Sequence, residues 1–402
     1  MIDRPEYIEK IAPFMDKPIV KVITGMRRVG KSRLMDLLRQ RLLLDGISGR
    51  AVFFLNKELL EWDAVKNYTD LWDAIRKYFG QYSGKRWVFI DEIQEISGWE
   101  KTIVSLLAQE YADIVISGSN ANLLSSELST LLAGRYVEFR VYPLGFSEFL
   151  RFRGSVAGSE AEEFRLFLRY GGMPGLHAFP LTDETAFPYL MGIYSTIVLR
   201  DVVSRHALRD TEQLERIIRF LFDNCGNITS AKRLADFLKS QGMSTGMDKV
   251  LAYISYLEQA YIVSRIRRFD LRGLRHLETL EKFFMGDVGL RHGFLGYRDQ
   301  DISGLLENVV CLELARRGYR VSVGKWDNLE VDFVAENGDS RIYVQVSLTL
   351  SDASVIEREY TPLEKIQDNH PKYVVTLDED QRVMRKGIIH QNFRDFLLAV
   401  KP

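Results

Sequence analysis

Lys31 and Ser32 close the octapeptide Gly25-Met26-Arg27-Arg28-Val29-Gly30-Lys31-Ser32, and Asp91 and Glu92 close the apolar run Trp87-Val88-Phe89-Ile90. These residue types in this order are equipped for phosphate and metal chemistry. Glycines let a loop curl so that its N–H groups converge on an anion. A helix starting at the end of that loop adds partial positive charge. A lysine at 31 meets terminal phosphates, a hydroxyl at 32 ligates Mg2+, and a strand-borne carboxylate at 91 holds the same ion directly or through water. Glu92 is placed to orient and polarise an attacking water. ATP and Mg2+ are therefore the expected cofactors. Gly25, Arg28, Gly30, Lys31, Ser32 and Arg33 are the expected nucleotide contacts of this stretch, Ser32 and Asp91 the metal ligands, and Lys31 and Glu92 the catalytic pair. The competing readings are a glycine turn that matches by chance and an acidic pair that caps the following helix.

The surrounding pattern supplies the elements such a site needs. Residues 19–23 are a short apolar run before the loop, and 33–39 carry apolar side chains at helical spacing, so the order is strand, glycine loop, helix. Residues 51–55 form a continuous apolar run suited to a buried parallel strand, and 62–79 read as a helix. Residues 114–116 lead into Ser117-Gly118-Ser119-Asn120. Ser119 and Asn120 are candidates to sense the terminal phosphate or the water, and Asn120 is counted among the nucleotide contacts. The alternative is a polar turn with Asn120 capping residues 121–124. Arg135 precedes an expected strand over 136–141. It is a candidate to stabilise charge on the transferred phosphoryl group, in cis or from a neighbouring subunit; otherwise it is a surface arginine or a structural ion pair.

Beyond a Gly/Ser/Ala/Glu-rich linker at 153–163, a helix over 164–170 runs into Gly171-Gly172-Met173-Pro174-Gly175, and 186–206 read as a long helix. Residues 213–270 follow the order of a winged helix-turn-helix. The helices are 214–222, 231–239 capped by Ser230 and 245–259 capped by Ser244, and a hairpin wing pairs 261–266 with 280–285. Arg265, Arg267, Arg268, Arg272 and Arg275 cluster on that wing and could neutralise DNA phosphates. The alternative is a packing module with a solvated hairpin, since few base-reading side chains stand out on the second helix. A helix over 305–318, strands at 319–323, 330–334 and 342–347, a helix over 352–366 and a strand at 373–377 then resemble the core of PD-(D/E)xK nucleases. That resemblance places Glu307 and Asp332 at two of the carboxylate positions. It meets Gln345-Val346-Ser347 where the E-x-K pattern belongs. One ligand charge and the supporting cation are lost, so nuclease activity is not expected.

A chain of 402 residues is too long for one ordinary core. The expected division is 1–152, an ATPase core; 153–210, lid and linker; 211–286, winged helix; and 287–402, the nuclease-like domain. Basic and acidic residues number 54 and 55, so no global field draws the protein to nucleic acid or acidic lipid. Cys225 and Cys311 stand alone, which excludes a disulfide framework and fits a reducing compartment. None of the six histidines sits in a zinc spacing. Asp3, Arg4, Glu6, Glu9 and Lys10 leave no signal-peptide core, and no stretch is expected to reach the length and apolarity of a membrane span. The expectation is a cytoplasmic protein with no membrane partner.

The motifs GMRRVGKS (25–32), FIDEIQ (89–94) followed by Trp99-Glu100, SGSNANLL (117–124), LLAGRYVEFRVYPLGFSEFL (131–150) and RYGGMP (169–174) together resemble one family. It is the bacterial and archaeal AAA-type ATPases that carry a C-terminal domain of unknown function, and the likeness continues through Leu199-Arg200-Asp201-Val202-Val203 and residues 307–347. The resemblance implies an α/β fold with a P-loop parallel sheet flanked by helices, a small helical lid, ATP binding and a part for Arg135 in the nucleotide machinery. It admits Mg-dependent ATP hydrolysis that drives or gates a conformational change. It also admits a slow nucleotide-gated switch that presents the winged helix or C-terminal domain to DNA or a protein, and, least of the three, an ATP-regulated nuclease. A finger arginine acting from a neighbour would require a homo-oligomer.

Overall fold

Five short strands, β1 (Val20–Thr24), β2 (Val52–Asn56), β3 (Trp87–Asp91), β4 (Asp113–Gly118) and β5 (Tyr136–Arg140), pair in the order β2-β3-β4-β1-β5. All four pairings are parallel. Every residue of β1, β3 and β4 is buried, which is why their apolar runs are continuous: a parallel sheet is covered on both faces. The computed structural model describes residues 4–124, 130–132, 134–156, 158–243, 245–273, 275–298, 301–379 and 385–399. Ser244, expected to cap a helix, lies outside them.

Helices Lys31–Leu44, Tyr68–Phe79 and Trp99–Ala108 flank the sheet. The second starts later than the pattern suggests because Asn67 and Asp70 form a reciprocal capping box there. Phe53, Val88, Ile90, Ile114 and Ile116 of the strands meet Leu71, Ile75, Ile103 and Leu106 of the helices in one core. Lys21 is a fully buried cation in β1, and its ammonium is matched by an ion pair with Asp113 on the neighbouring strand.

The chain divides into two compact units, Met1–Val141 and Tyr142–Pro402. The expected lid, winged helix and nuclease-like segment thus fall in one unit, and the first boundary lies at 141 rather than 152. The second unit has an eight-stranded sheet of order β13-β12-β11-β10-β9-β7-β8-β6. Its strands are β6 (Ile228–Thr229), β7 (Val263–Asp270), β8 (Arg275–Met285), β9 (Arg320–Trp326), β10 (Leu329–Asn337), β11 (Ser340–Val346), β12 (Lys372–Thr376) and β13 (Ile389–Asn392). β7 and β8 form the expected antiparallel hairpin, and β7 also pairs in parallel with β9. The boundary expected at 286 therefore falls within a continuous sheet: the β7–β8 hairpin and the C-terminal strands share hydrogen bonds. Helices Ala231–Ser240 and Met247–Gln259 precede the hairpin, the first capped by Ser230. Strand β13 and helix Phe393–Leu398 add to the elements expected from the sequence.

One helix departs from the expectation about membranes. Asp183–Ser204 is 22 residues long and, by length and composition alone, apolar enough to cross a membrane. It runs as an α-helix over Asp183–Thr196 and a π-helix over Ile197–Ser204. Its buried side chains include Ala186, Leu190, Ile193 and Tyr194, and it packs against the helix Val288–Leu295.

Candidate active site

Strand order brings the chemistry together. β4 lies between β1 and β3, so the loop after β1 and the carboxyl ends of β3 and β4 share one edge of the sheet. That edge is where open α/β sheets bind ligands. The turn out of β1 demands glycine at 25: its φ is 140°, and a Cβ there would sit 2.3 Å from the carbonyl oxygen of Val141. Gly30, at φ 98°, starts the helix Lys31–Leu44. From the N-terminus Arg4, itself buried, donates from Nη1 to the loop carbonyl of Val29 at 3.0 Å.

Lys31 is buried and its Nζ donates to the carbonyls of Gly25 and Met26 at 3.0 and 3.1 Å. The same ammonium lies 3.7 Å from Glu92 Oε1. Glu92 has left-handed backbone, φ 53° and ψ 47°, a costly conformation for a non-glycine residue that marks functional sites. Its Oε2 accepts from Gln94 Nε2 at 2.5 Å and from Ser119 Oγ at 3.2 Å. Burial works against its charge, but Lys31 and Arg27 outweigh that, and Glu92 is held below the usual carboxylate range.

Asp91 is fully buried at the end of β3. The hydroxyls of Ser117 and Ser32 bond to its carboxyl group, while burial raises its pKa. Its Oδ2 is buried and receives no hydrogen bond. A buried carboxylate oxygen without a donor, next to a serine hydroxyl, fits the oxygen ligand set of Mg2+, whose charge would offset the cost of burying Asp91.

The other expected contacts divide. Arg28 is exposed, at φ 69°. The Arg33 guanidinium turns along its own helix to Asp36 at 2.6 Å, so it is committed to an i,i+3 ion pair rather than to the loop. The Asn120 side chain accepts from the N–H of Asn122 at 2.6 Å; it closes a turn, and Ser119 is the residue that reaches Glu92. Arg135 is exposed just before β5. The parallel register Val20↔Tyr136 to Thr24↔Arg140 puts it at the opposite edge of the sheet from the loop after Thr24. Five strand residues span about 16 Å, so the cis role is corrected: Arg135 does not serve the loop of its own chain.

Arg27, Gln94 and Ser117 went unassigned in the sequence. Arg27 is buried; its Nη1 meets Glu58 Oε1 at 3.2 Å, and its Nη2 lies 3.3 Å from Ser119 Oγ and 3.7 Å from Glu92 Oε2. Its place inside the glycine loop was the only available signal.

On the β7–β8 hairpin, Arg265 pairs with Glu258, Arg267 lies 4.0 Å from Glu281, Arg272 pairs with Asp327, and Arg275 lies 3.9 Å from Asp270. Four of the five arginines expected to meet phosphates thus face carboxylates of their own chain.

A family profile described as an AAA domain matches residues 17–150, and one described as a domain of unknown function matches residues 161–301. An "Uncharacterized protein" of Haemophilus influenzae is 37% identical over 379 residues, covering 94% of this chain and 93% of the relative. One of Methanocaldococcus jannaschii is 28% identical over 362 residues, covering 86% and 78%. Among solved structures, the Orc1 protein of Aeropyrum pernix in complex with DNA aligns with 73% of this chain and 92% of its own, at 14% identity and TM-score 0.34. DnaA of Aquifex aeolicus bound to AMPPCP aligns with 64% and 89%, at 13% identity and TM-score 0.30. With an AAA domain on the P-loop sheet and relatives spanning nearly its full length, the chain belongs to the AAA-type ATPase family whose members join that domain to one of unknown function.

Proposed function

We propose that the chain binds ATP with Mg2+ in the loop 25–32 and hydrolyses it, and that the turnover gates a conformational change. The observation that carries this reading is the convergence of buried Lys31, Glu92 and Asp91 with half-buried Ser32, one Asp91 oxygen lacking a donor. Backbone N–H groups of the loop and the start of helix Lys31–Leu44 receive the phosphates. Lys31 exchanges the carbonyls of Gly25 and Met26 for phosphate oxygens, a stronger charge-assisted contact. Ser32 and Asp91 would hold the magnesium ion, which would supply positive charge beside the phosphates. Glu92, kept ionised by Lys31 and Arg27 and oriented by Ser119 and Gln94, takes a proton from the attacking water. Nucleotide supply and the reduced Cys225 and Cys311 fit a cytoplasmic setting.

Equilibrium binding of a fluorescent ATP analogue and steady-state phosphate release test this together. Lys31→Ala is expected to lose binding. Glu92→Gln is expected to retain binding and lose at least about 100-fold in turnover, the usual worth of a positioned base. Equal binding by wild type and Lys31→Ala removes the proposal. Negligible turnover by a wild type that binds tightly favours the slow switch instead.

A further inference from the structure

The nuclease-like core brings its expected residues together and adds one from outside. Glu307 comes from helix Ile302–Arg316, Glu330 and Asp332 from β10, and Gln345 from β11. Into their midst β8 sends Lys282, whose side chain is 3% exposed. Its Nζ lies 2.9 Å from Glu307 Oε2, 2.7 Å from Glu330 Oε1 and 3.2 Å from Asp332 Oδ1. We propose that Lys282 stands where nucleases of this fold hold a divalent cation, so that the C-terminal domain is built around an internal ammonium and needs no metal.

Three facts support this. An ammonium has three N–H donors, and here three carboxylates surround it. The other ligand atoms of Asp332 and Gln345 are also claimed by the protein. Asp332 Oδ2 accepts the N–H of Val346 at 2.9 Å, and Gln345 accepts from the N–H of Asp332 at 3.3 Å and donates to Glu359 at 2.9 Å. Among the described residues no group of three or more His, Cys, Asp or Glu is arranged to hold a metal ion. The Mg2+ that the nuclease resemblance implies therefore does not fit these residues as they stand. Charge balance explains why the lysine stays: buried carboxylates without a cation are costly, and removing one partner of a buried ion pair exposes that cost. The same contacts tie the wing strand β8 to β10 and to the helix Ile302–Arg316.

Mn2+ titration of the full, nucleotide-free chain, read by Mn2+ paramagnetic resonance and by thermal melting, tests the proposal. Lys282→Met leaves the carboxylates facing one another. It is expected to bind Mn2+ at least about 10-fold more tightly than wild type, since a competing buried unit charge is gone, and to melt higher when Mn2+ is present. Adding Asp332→Asn to it should abolish the gain. Should Lys282→Met fail to fold, Lys282→Met with Glu330→Gln removes one carboxylate with the ammonium and is read the same way. The proposal is overturned if the folded variant gains no Mn2+, or if wild type already binds Mn2+, or cuts plasmid DNA with it, in a manner lost on Asp332→Asn.

Discussion

The Arg27 guanidinium and the Glu92 carboxylate lie 3.7 Å apart, both buried, one from the phosphate loop and the other from the end of β3. On the function proposed above, Arg27 links the loop that would receive the nucleotide to the carboxylate that would activate water. The same guanidinium reaches Ser119 just after β4 and Glu58 beyond β2. A planar guanidinium presents its donors in fixed, coplanar directions, which suits partners held at set positions around it.

Arg27 is therefore expected to act as a positioning residue. Arg27→Met should leave ATP affinity within about 3-fold and lower turnover about 10- to 100-fold, because a small misplacement of a reacting group is expensive. Arg27→Lys should recover part of the turnover, since it restores charge without the fork. Nucleotide titration beside phosphate release separates the two effects. A loss of affinity equal to the loss of turnover would mean that Arg27 only shapes the loop.

Arg135, on the far edge of the sheet from its own loop, can stabilise a phosphoryl group only on another copy of the chain. Arg135→Ala is expected to keep nucleotide binding and lose turnover by on the order of 10³-fold, the lower range for an arginine finger. Mixing Arg135→Ala with Lys31→Ala should restore part of the activity, because some interfaces then pair an intact loop with an intact arginine. Activity in the mixture no greater than the sum of the parts would rule the role out, and light scattering would report whether the chains associate.

His292 gives stability a pH dependence. It is buried on helix Val288–Leu295, its Nδ1 lies 2.8 Å from the carbonyl of Arg169, and burial lowers its pKa to about 4. The unfolded chain, near 6.5, binds the proton first as pH falls, so stability is full above about 6.5 and is lost toward about 4. Linkage puts the loss at about 2 kcal/mol by pH 5. Asp287, which caps the same helix and is raised to about 6 by burial, acts with the opposite sign as pH falls below that value. The measurement is therefore the difference between wild type and His292→Gln in urea unfolding. That difference should shrink from pH 7 to pH 5, and a constant one would show that His292 is not the titrating group.

The phosphate loop, the carboxylates after β3 and the turn after β4 were legible in the sequence because each is local: a few consecutive residues set strand, turn and helix start, and backbone hydrogen bonding does the rest. Even there Arg33 misled, since an aspartate one helical turn away competes for its guanidinium. What the linear order could not decide is which distant residues meet. Arg4 under the loop, Arg27 beside Glu92 and Ser117 on Asp91 depend on strand order. The edge on which Arg135 lies follows from the parallel pairing of β5 with β1. Lys282 is the clearest case, because nothing near it in sequence predicts three carboxylates 25 to 50 residues away. Composition and periodicity dictate local structure through short-range sterics and hydrogen bonds. The ion pairs that define both sites form only when β7 joins β9 and β4 slips between β1 and β3, and sheet assembly of that kind is a property of the folded chain.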